Sequence, residues 1–179
     1  MPVRPSVVCC IADQCRAVGR VASAAVAKLY VVRHADAGHR GHGSTPDEAR
    51  ELSERGWRQA EGLCAALADR EITRLLTSPF VRCVQTLEPL GKVLGLSVEA
   101  DERLAESMGA AGALAVTAEV RDADAVLCSH GDVIPDLLEH LLAHGTKLKG
   151  ELRWQKASTW VLTWEGKHLT KGRYVPPPA

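Results

Sequence analysis

The stretch Leu29-Tyr30-Val31-Val32-Arg33-His34-Ala35-Asp36 decides how this chain reads. A run of strand-favouring apolar residues stops at an Arg-His pair, and such a run predicts a buried strand. Its end places two side chains able to carry positive charge at the rim of a sheet, where open α/β folds hold their ligands. A second His closes a similar run, Ala125-Val126-Leu127-Cys128-Ser129-His130-Gly131. A second Arg follows the turn signal in Thr77-Ser78-Pro79-Phe80-Val81-Arg82. Two Arg and two His at strand ends can converge on one anionic group, and a phosphoryl group suits them best.

Working outward, strand patterns alternate with helical ones from residue 28 to residue 175. This predicts an α/β fold, a three-layer α/β/α sandwich with a mostly parallel central sheet and an edge hairpin. The first strand is Lys28 to Arg33. A polar loop from Ala35 to Glu51 follows, long enough to suggest a functional role. Gly56 to Asp69 reads as a helix with Trp57, Ala60, Leu63, Cys64 and Leu67 on one face. Arg74 to Thr77 is a short strand, and Pro79 to Leu94 a helix with its Pro near the first helical position. Ser97 to Ala100 is a strand and Gly109 to Val120 an Ala-rich helix. Ala125 to Ser129 is a central strand, and Asp132 to His144 a helix stopped by Gly145. Ser158 to Trp164 and Lys167 to Tyr174 form the hairpin around Glu165-Gly166. Residues 1 to 27 carry Arg4, Arg16 and Arg20 against a single acid, Asp13, and read as an N-terminal extension outside the domain.

The blocks around these strand ends carry a family resemblance. Leu29 to His34, Ser78-Pro79-x-x-Arg82-x-x-Gln85-Thr86, Arg103-Leu104-Ala105-Glu106 and Ser129-His130-Gly131 occur in this order. Leu52-Ser53-x-x-Gly56-x-x-Gln59-Ala60 lies between the first two. Together they resemble the histidine phosphatase superfamily, which includes phosphoglycerate mutases and SixA-type phosphohistidine phosphatases. The segments Val133 to Leu137 and Ser158 to Leu162 resemble phosphatase domains found fused to Nudix hydrolases; no Nudix half is visible here. One departure is Ala35, where the family has Gly, and it costs little unless that position needs a positive φ.

The resemblance implies a metal-independent phosphatase that needs no cofactor. His34 is the nucleophile that forms a phosphohistidine, and Arg33 and Arg82 present paired N–H groups to phosphoryl oxygens. His130 adds a donor. Glu106 is the acid that protonates the leaving group and then activates water, with Asp101 and Glu102 as alternatives. His39, Arg40 and His42 line the pocket mouth or lie on the surface, and Arg40 is a candidate substrate contact. Lys147, Lys149, Arg153 and Lys156 read as a solvated loop or as contacts to a polyanionic substrate. Trp154, Trp160 and Trp164 read as sheet packing, with Trp154 also able to face a ligand.

Composition limits the alternatives. Among 179 residues, 22 cationic side chains balance 22 acidic ones, so no basic field points to nucleic acid. No apolar run is long enough to cross a bilayer. The six Cys match no zinc pattern, and Cys64, Cys83 and Cys128 fall inside apolar segments as free core thiols of a cytoplasmic protein. The tight group His34, Asp36, His39 and His42 lacks helical spacing for a metal site. The expected partner is a phosphorylated small molecule, a nucleotide among them, or a phosphohistidine protein. A non-catalytic phospholigand-binding module on the same fold is the reading from another class.

Overall fold

A computed structural model describes residues 26–39 and 46–178. The readings made for residues 1–25, Arg40 and His42 lie outside the described residues. Seven strands form one sheet: β1 (Lys28–Arg33), β2 (Ile72–Thr77), β3 (Val98–Ala100), β4 (Asp124–Ser129), β5 (Lys147–Lys149), β6 (Thr159–Glu165) and β7 (His168–Val175). Their order is β3-β2-β4-β1-β6-β7-β5. Only β6 runs against the others, pairing antiparallel with β1 and β7. Helices α1 (Glu54–Leu67), α2 (Val81–Leu94), α3 (Gly109–Glu119) and α4 (Val133–Ala143) complete the three layers.

Alternation along β1 builds both layers at once. Leu29 and Val31 point into the core shared with α3 and α4, while Tyr30 and Val32 point into the core shared with α1 and α2. Each of these side chains is at most 3 % exposed, and full burial of a residue of this size contributes ~1.5–3 kcal/mol. Strand β1 is thus committed on both faces, which fixes where its C-terminal end lies.

Parallel pairing then brings the functional ends together. Strands β2, β4 and β1 are adjacent, with Arg33 opposite Ser129 and Thr77 opposite Cys128. Beyond them, the His34 N–H donates to Ser129 O at 3.0 Å and the Ser78 N–H to Cys128 O at 2.9 Å. The residues after three neighbouring strands therefore leave the sheet side by side, at the carboxyl edge where such sheets hold ligands.

Two sequence readings change. Helix α2 starts at Val81 with Phe80 as its N-cap, so Pro79 lies before the helix and shapes the turn from β2. The Lys147–Lys149 stretch is not a loop but β5, parallel to β7, which places the β6–β7 hairpin one strand in from the sheet edge. Three residues with charged ends carry little periodic signal, so pairing with β7 rather than local preference makes them a strand. Among the described residues no helix is long and apolar enough to cross a membrane.

The packing of α1 against the loop after β1 has little slack. A Cβ on Gly56 would stand 2.0 Å from Asp36 O. Gly56→Ala is therefore expected to destabilise the fold by about 1–3 kcal/mol, the cost of forced overpacking, and to lower the melting temperature by several degrees. An unchanged thermal midpoint by circular dichroism would show that helix and loop are free to separate.

Candidate active site

Three strand ends deliver the predicted residues to one place. Arg33 and His34 follow β1, Arg82 lies in the first turn of α2 after β2, and His130 follows β4. Glu106 arrives from the connection between β3 and α3, just beyond a 3-10 turn at Glu102–Leu104. The structure brings these five together. Asp101 and Glu102 are not among them: Asp101 binds the Arg103 guanidinium at 2.7 Å, and Glu102 is exposed.

His34 is 4 % exposed, and its Nδ1 lies 2.7 Å from Ala35 O. A carbonyl only accepts, so Nδ1 carries the proton and Nε2 keeps its lone pair. Burial, with the nearby charges of Arg82, His130 and Arg33, outweighs that hydrogen bond and lowers the imidazole pKa to about 3. The ring is therefore neutral at any pH near 7, as a nitrogen nucleophile must be.

Arg82 is fully buried. Its Nη1 donates to Asp47 O at 2.8 Å, and its Nη2 lies 2.7 Å from Glu106 Oε1 and 3.1 Å from Asp47 Oδ2. Its guanidinium stands over the Phe80 ring, 4.7 Å from the centroid, an arrangement favourable to a cation. His130 Nδ1 is 3.3 Å from both Glu106 Oε1 and Arg82 Nη2, while its Nε2 is 2.7 Å from Ser78 Oγ. The His34 and His130 rings are 5.4 Å apart, edge to face. Arg33 donates from Nη1 to Trp154 O at 2.8 Å. Nε of Arg33 and Nε of Arg82 are buried with no hydrogen-bond partner among the described residues. Unspent guanidinium donors beside a neutral imidazole suit an oxyanion that supplies acceptors.

The polar residues spaced around these blocks have physical tasks that residue type alone did not reveal. Thr86 Oγ1 accepts the Ala35 N–H at 2.9 Å, Gln59 Oε1 accepts the Asp36 N–H at 2.9 Å, and Gln85 Oε1 accepts the Leu52 N–H at 2.8 Å. They fasten the backbone that follows His34. A Cβ on Gly131 would meet Arg33 Cζ at 2.7 Å, so glycine there leaves the guanidinium its place. Ala35 is not among the residues with positive φ, so the methyl in place of hydrogen carries no backbone cost.

Other predicted residues sort differently. His39 is exposed. Lys156 binds Asp36 at 2.5 Å and Arg153 binds Glu151, so both are engaged locally. Trp160 and Trp164 are core residues, while Trp154 is partly buried and lines a shallow hollow of about 350 Å³ with Arg33, Arg153 and Gln155. Cys64, Cys83 and Cys128 are free and buried, and Cys83 Sγ lies 3.5 Å from His130 Nε2. Sequence reasoning missed Asp132, whose Oδ2 accepts the Ser107 N–H at 2.8 Å beside Glu106. Its place two residues after His130 was the available signal.

Residues 29–122 match the family model of the histidine phosphatase superfamily, branch 1. The chain is 35% identical over 155 residues to an 8-oxo-(d)GTP phosphatase of Mycolicibacterium smegmatis; the match covers 84% of this chain and 48% of that protein. The chain thus spans about half the length of this relative. The fold resembles the protein histidine phosphatase SixA solved with tungstate, at TM-score 0.66 and 23% identity over 85% of this chain and 96% of that one. It also resembles a mycobacterial glucosyl-3-phosphoglycerate phosphatase, at TM-score 0.62 and 21% identity over 86% and 99% of the two chains.

The depressed pKa of His34 has a stability consequence with a definite sign. In the unfolded chain an imidazole takes up its proton near pH 6.5, whereas folded His34 stays neutral to about 3. Between these values the unfolded state binds more protons. Stability from this group is therefore complete above pH 6.5 and is lost as pH falls toward 3. Urea unfolding across this window should show an extra acid slope of up to about 1.4 kcal/mol per pH unit in the unsubstituted chain, absent in His34→Asn. Equal slopes in the two proteins would contradict the buried neutral imidazole.

Proposed function

This chain belongs to the histidine phosphatase superfamily, and from that premise we propose that it hydrolyses a phosphomonoester of a small metabolite or nucleotide through a phosphohistidine on His34. The observation that carries the reading is the state of His34: a neutral ring with Nδ1–H spent on Ala35 O, leaving Nε2 as the nucleophilic atom among three cationic-capable neighbours. The nucleotide option is favoured by the relative that acts on 8-oxo-(d)GTP.

In the first displacement His34 Nε2 attacks phosphorus, the bond to the leaving oxygen breaks, and Glu106 gives that oxygen its proton. The Ala35 carbonyl holds Nδ1–H and so stabilises the positive charge of the phosphorylated imidazole. Arg33, Arg82 and His130 bind the equatorial oxygens, a task of fixed charge in a water-poor pocket. In the second displacement Glu106 removes a proton from water, water attacks phosphorus, and the N–P bond breaks to release orthophosphate and restore neutral His34. Charge balance for the transferring group comes from these side chains, so the proposed route calls for no metal.

The connection that carries Glu106 favours a second reading as well. Only Ser107 and Met108 separate it from α3, so this connection inserts no cap domain over the site, and a phosphohistidine on a partner protein could reach it.

Turnover stopped by alkali should preserve a phosphoramidate on His34, and acid should destroy it. His34→Ala should lose several orders of magnitude in kcat/KM; full activity in that variant would end the proposal. Glu106→Gln should depress hydrolysis of an alkyl phosphate far more than that of p-nitrophenyl phosphate, whose leaving group needs no proton. Equal losses on both substrates would remove Glu106 as the acid. Turnover of a phosphohistidine protein faster than of any nucleotide or sugar phosphate would select the second reading.

A further inference from the structure

The half of the sheet formed by β6, β7 and β5 is covered by helices on one face only. Trp160, Leu162, Leu169 and Leu148 of this half pack into the core with α4. On the opposite face a cavity of about 710 Å³ opens between the sheet, α1 and the C-terminal tail. Its apolar surface comes from Tyr30, Leu63, Leu67, Val161, Pro176 and Pro178. Pro178 closes one side by lying on Gly62, where a Cβ would approach it to 2.6 Å.

Six cationic residues line this cavity, Lys28, Arg70, Lys147, Lys149, Lys171 and Arg173, and among the described residues no acidic one does. In a chain with 22 charges of each sign this is a strong local asymmetry. The sheet register makes it sharper. Lys147 lies directly opposite Lys171 and Lys149 directly opposite Arg173, while Lys28 and Lys171 both flank Thr163. Like charges directly across a strand pair are destabilising, yet two such pairs stand side by side. Elsewhere Arg74, Arg103 and Arg153 each sit against carboxylates. Of the six cations here, only Lys171 has an ion-pair partner among the described residues, Glu165 at 2.8 Å, a carboxylate that also feels Lys147. Arg70 and Arg173 also act on one point: burial and Asp124 raise the Tyr30 phenol, and these two cations oppose the rise.

We infer that this cavity is a second, non-catalytic binding site for a small organic anion that carries two or more phosphoryl groups on an apolar body, the class of the nucleoside polyphosphates. Bridging anions turn the two like-charged pairs from a cost into a contact, and the α1 and proline walls take the apolar body. Size agrees, since small-molecule sites of this kind occupy roughly 300–1,000 Å³. A membrane surface is a poor fit because the site is concave and the exposed large apolar residues, Val26, Val93, Met108 and Leu142, do not line it. The cationic end of the cavity is separate from the catalytic site, although its wall at Thr159 pairs with Val32. Lys28 lies at the opposite end of β1 from Arg33, roughly 16 Å away at about 3.3 Å per residue.

Calorimetry on the full chain, with the catalytic pocket saturated by orthovanadate, tests the inference. The probes are guanosine 5′-[β,γ-imido]triphosphate, inorganic tripolyphosphate and a deca-glutamate peptide. One equivalent of the nucleotide analogue is expected to bind, more weakly as salt rises, and more tightly than tripolyphosphate, which lacks the apolar body. Lys149→Glu should weaken the analogue at least tenfold, and p-nitrophenyl phosphate hydrolysis should stay within about twofold. Because that change sets a carboxylate opposite Arg173, the melting temperature should hold or rise, which separates lost binding from lost folding. If orthovanadate abolishes all analogue binding, or Lys149→Glu leaves it intact, the cations only protect a sheet edge and the inference fails. Tighter binding of the peptide than of the nucleotide also overturns it, in favour of an acidic protein surface. Analogue binding and the melting temperature do not depend on the chemistry of His34, so this site and the proposed catalytic route can fail independently.

Discussion

Arg82 has no solvent exposure, and its charge must be matched from inside the chain. An ion taken out of water carries a penalty of several kcal/mol that only well-placed partners offset. Two carboxylates from separate segments meet it, Asp47 from the connection between β1 and α1 and Glu106 from the connection between β3 and α3. One guanidinium thereby ties two loops to the start of α2. Removing it would take a buried guanidinium partner from two carboxylates, so the position carries a structural cost as well as the chemical use proposed for it. The same contacts explain why Glu106 stands beside His130.

The loop after β1 follows the same logic with neutral groups. A backbone leaving a sheet has N–H groups that must be satisfied once it is buried. Thr86 takes that of Ala35, Gln59 that of Asp36, and Ser129 O that of His34. Acceptors from α1, α2 and β4 therefore converge on three successive residues. This over-determination holds the backbone at the proposed nucleophile: the main chain at His34 cannot shift without breaking bonds to three different elements.

Much of this was legible in the residues. Strand β1 was readable to its ends because a double-sided apolar run with a charged stop has few other readings, and β4 was readable for the same reason. The parallel order of β2, β4 and β1 then follows from alternation with helices, and with it the meeting of Arg82, His130 and His34. What was not legible depends on pairing across the sheet. Lys147–Lys149 shows no pattern of its own, and its being a strand is decided by β7. That reading also moved the basic stretch: Lys147 and Lys149 belong to a cavity shared with α1, whereas Arg153 and Lys156 bind nearby carboxylates. Proximity in sequence grouped four cations that the fold separates into two sets. The proposed acid, Glu106, was legible only through the family pattern, since Asp101, Glu102 and Glu106 are equivalent by type. Geometry distinguishes them because Arg103 claims Asp101, while Glu106 meets Arg82 and His130.

Backbone strain marks the same place from another direction. Ser107 and Ala157 are the two non-glycine residues with positive φ among those described, at 68° and 60°. An L-residue in that region costs roughly 1–2 kcal/mol, and such positions persist only where surroundings over-determine them. Ser107 follows Glu106 directly, and Asp132 holds its N–H. Ala157 points its N–H at the carbonyls of Arg33 and His34, at 3.1 and 3.2 Å. Both strained residues thus border a proposed reacting group, one the acid and one the nucleophile. Glycine at either position would relieve the strain and would also free the backbone to leave it. Retaining Ser and Ala stiffens these turns at a cost in stability, which is the trade expected where two groups must face one phosphorus from opposite sides.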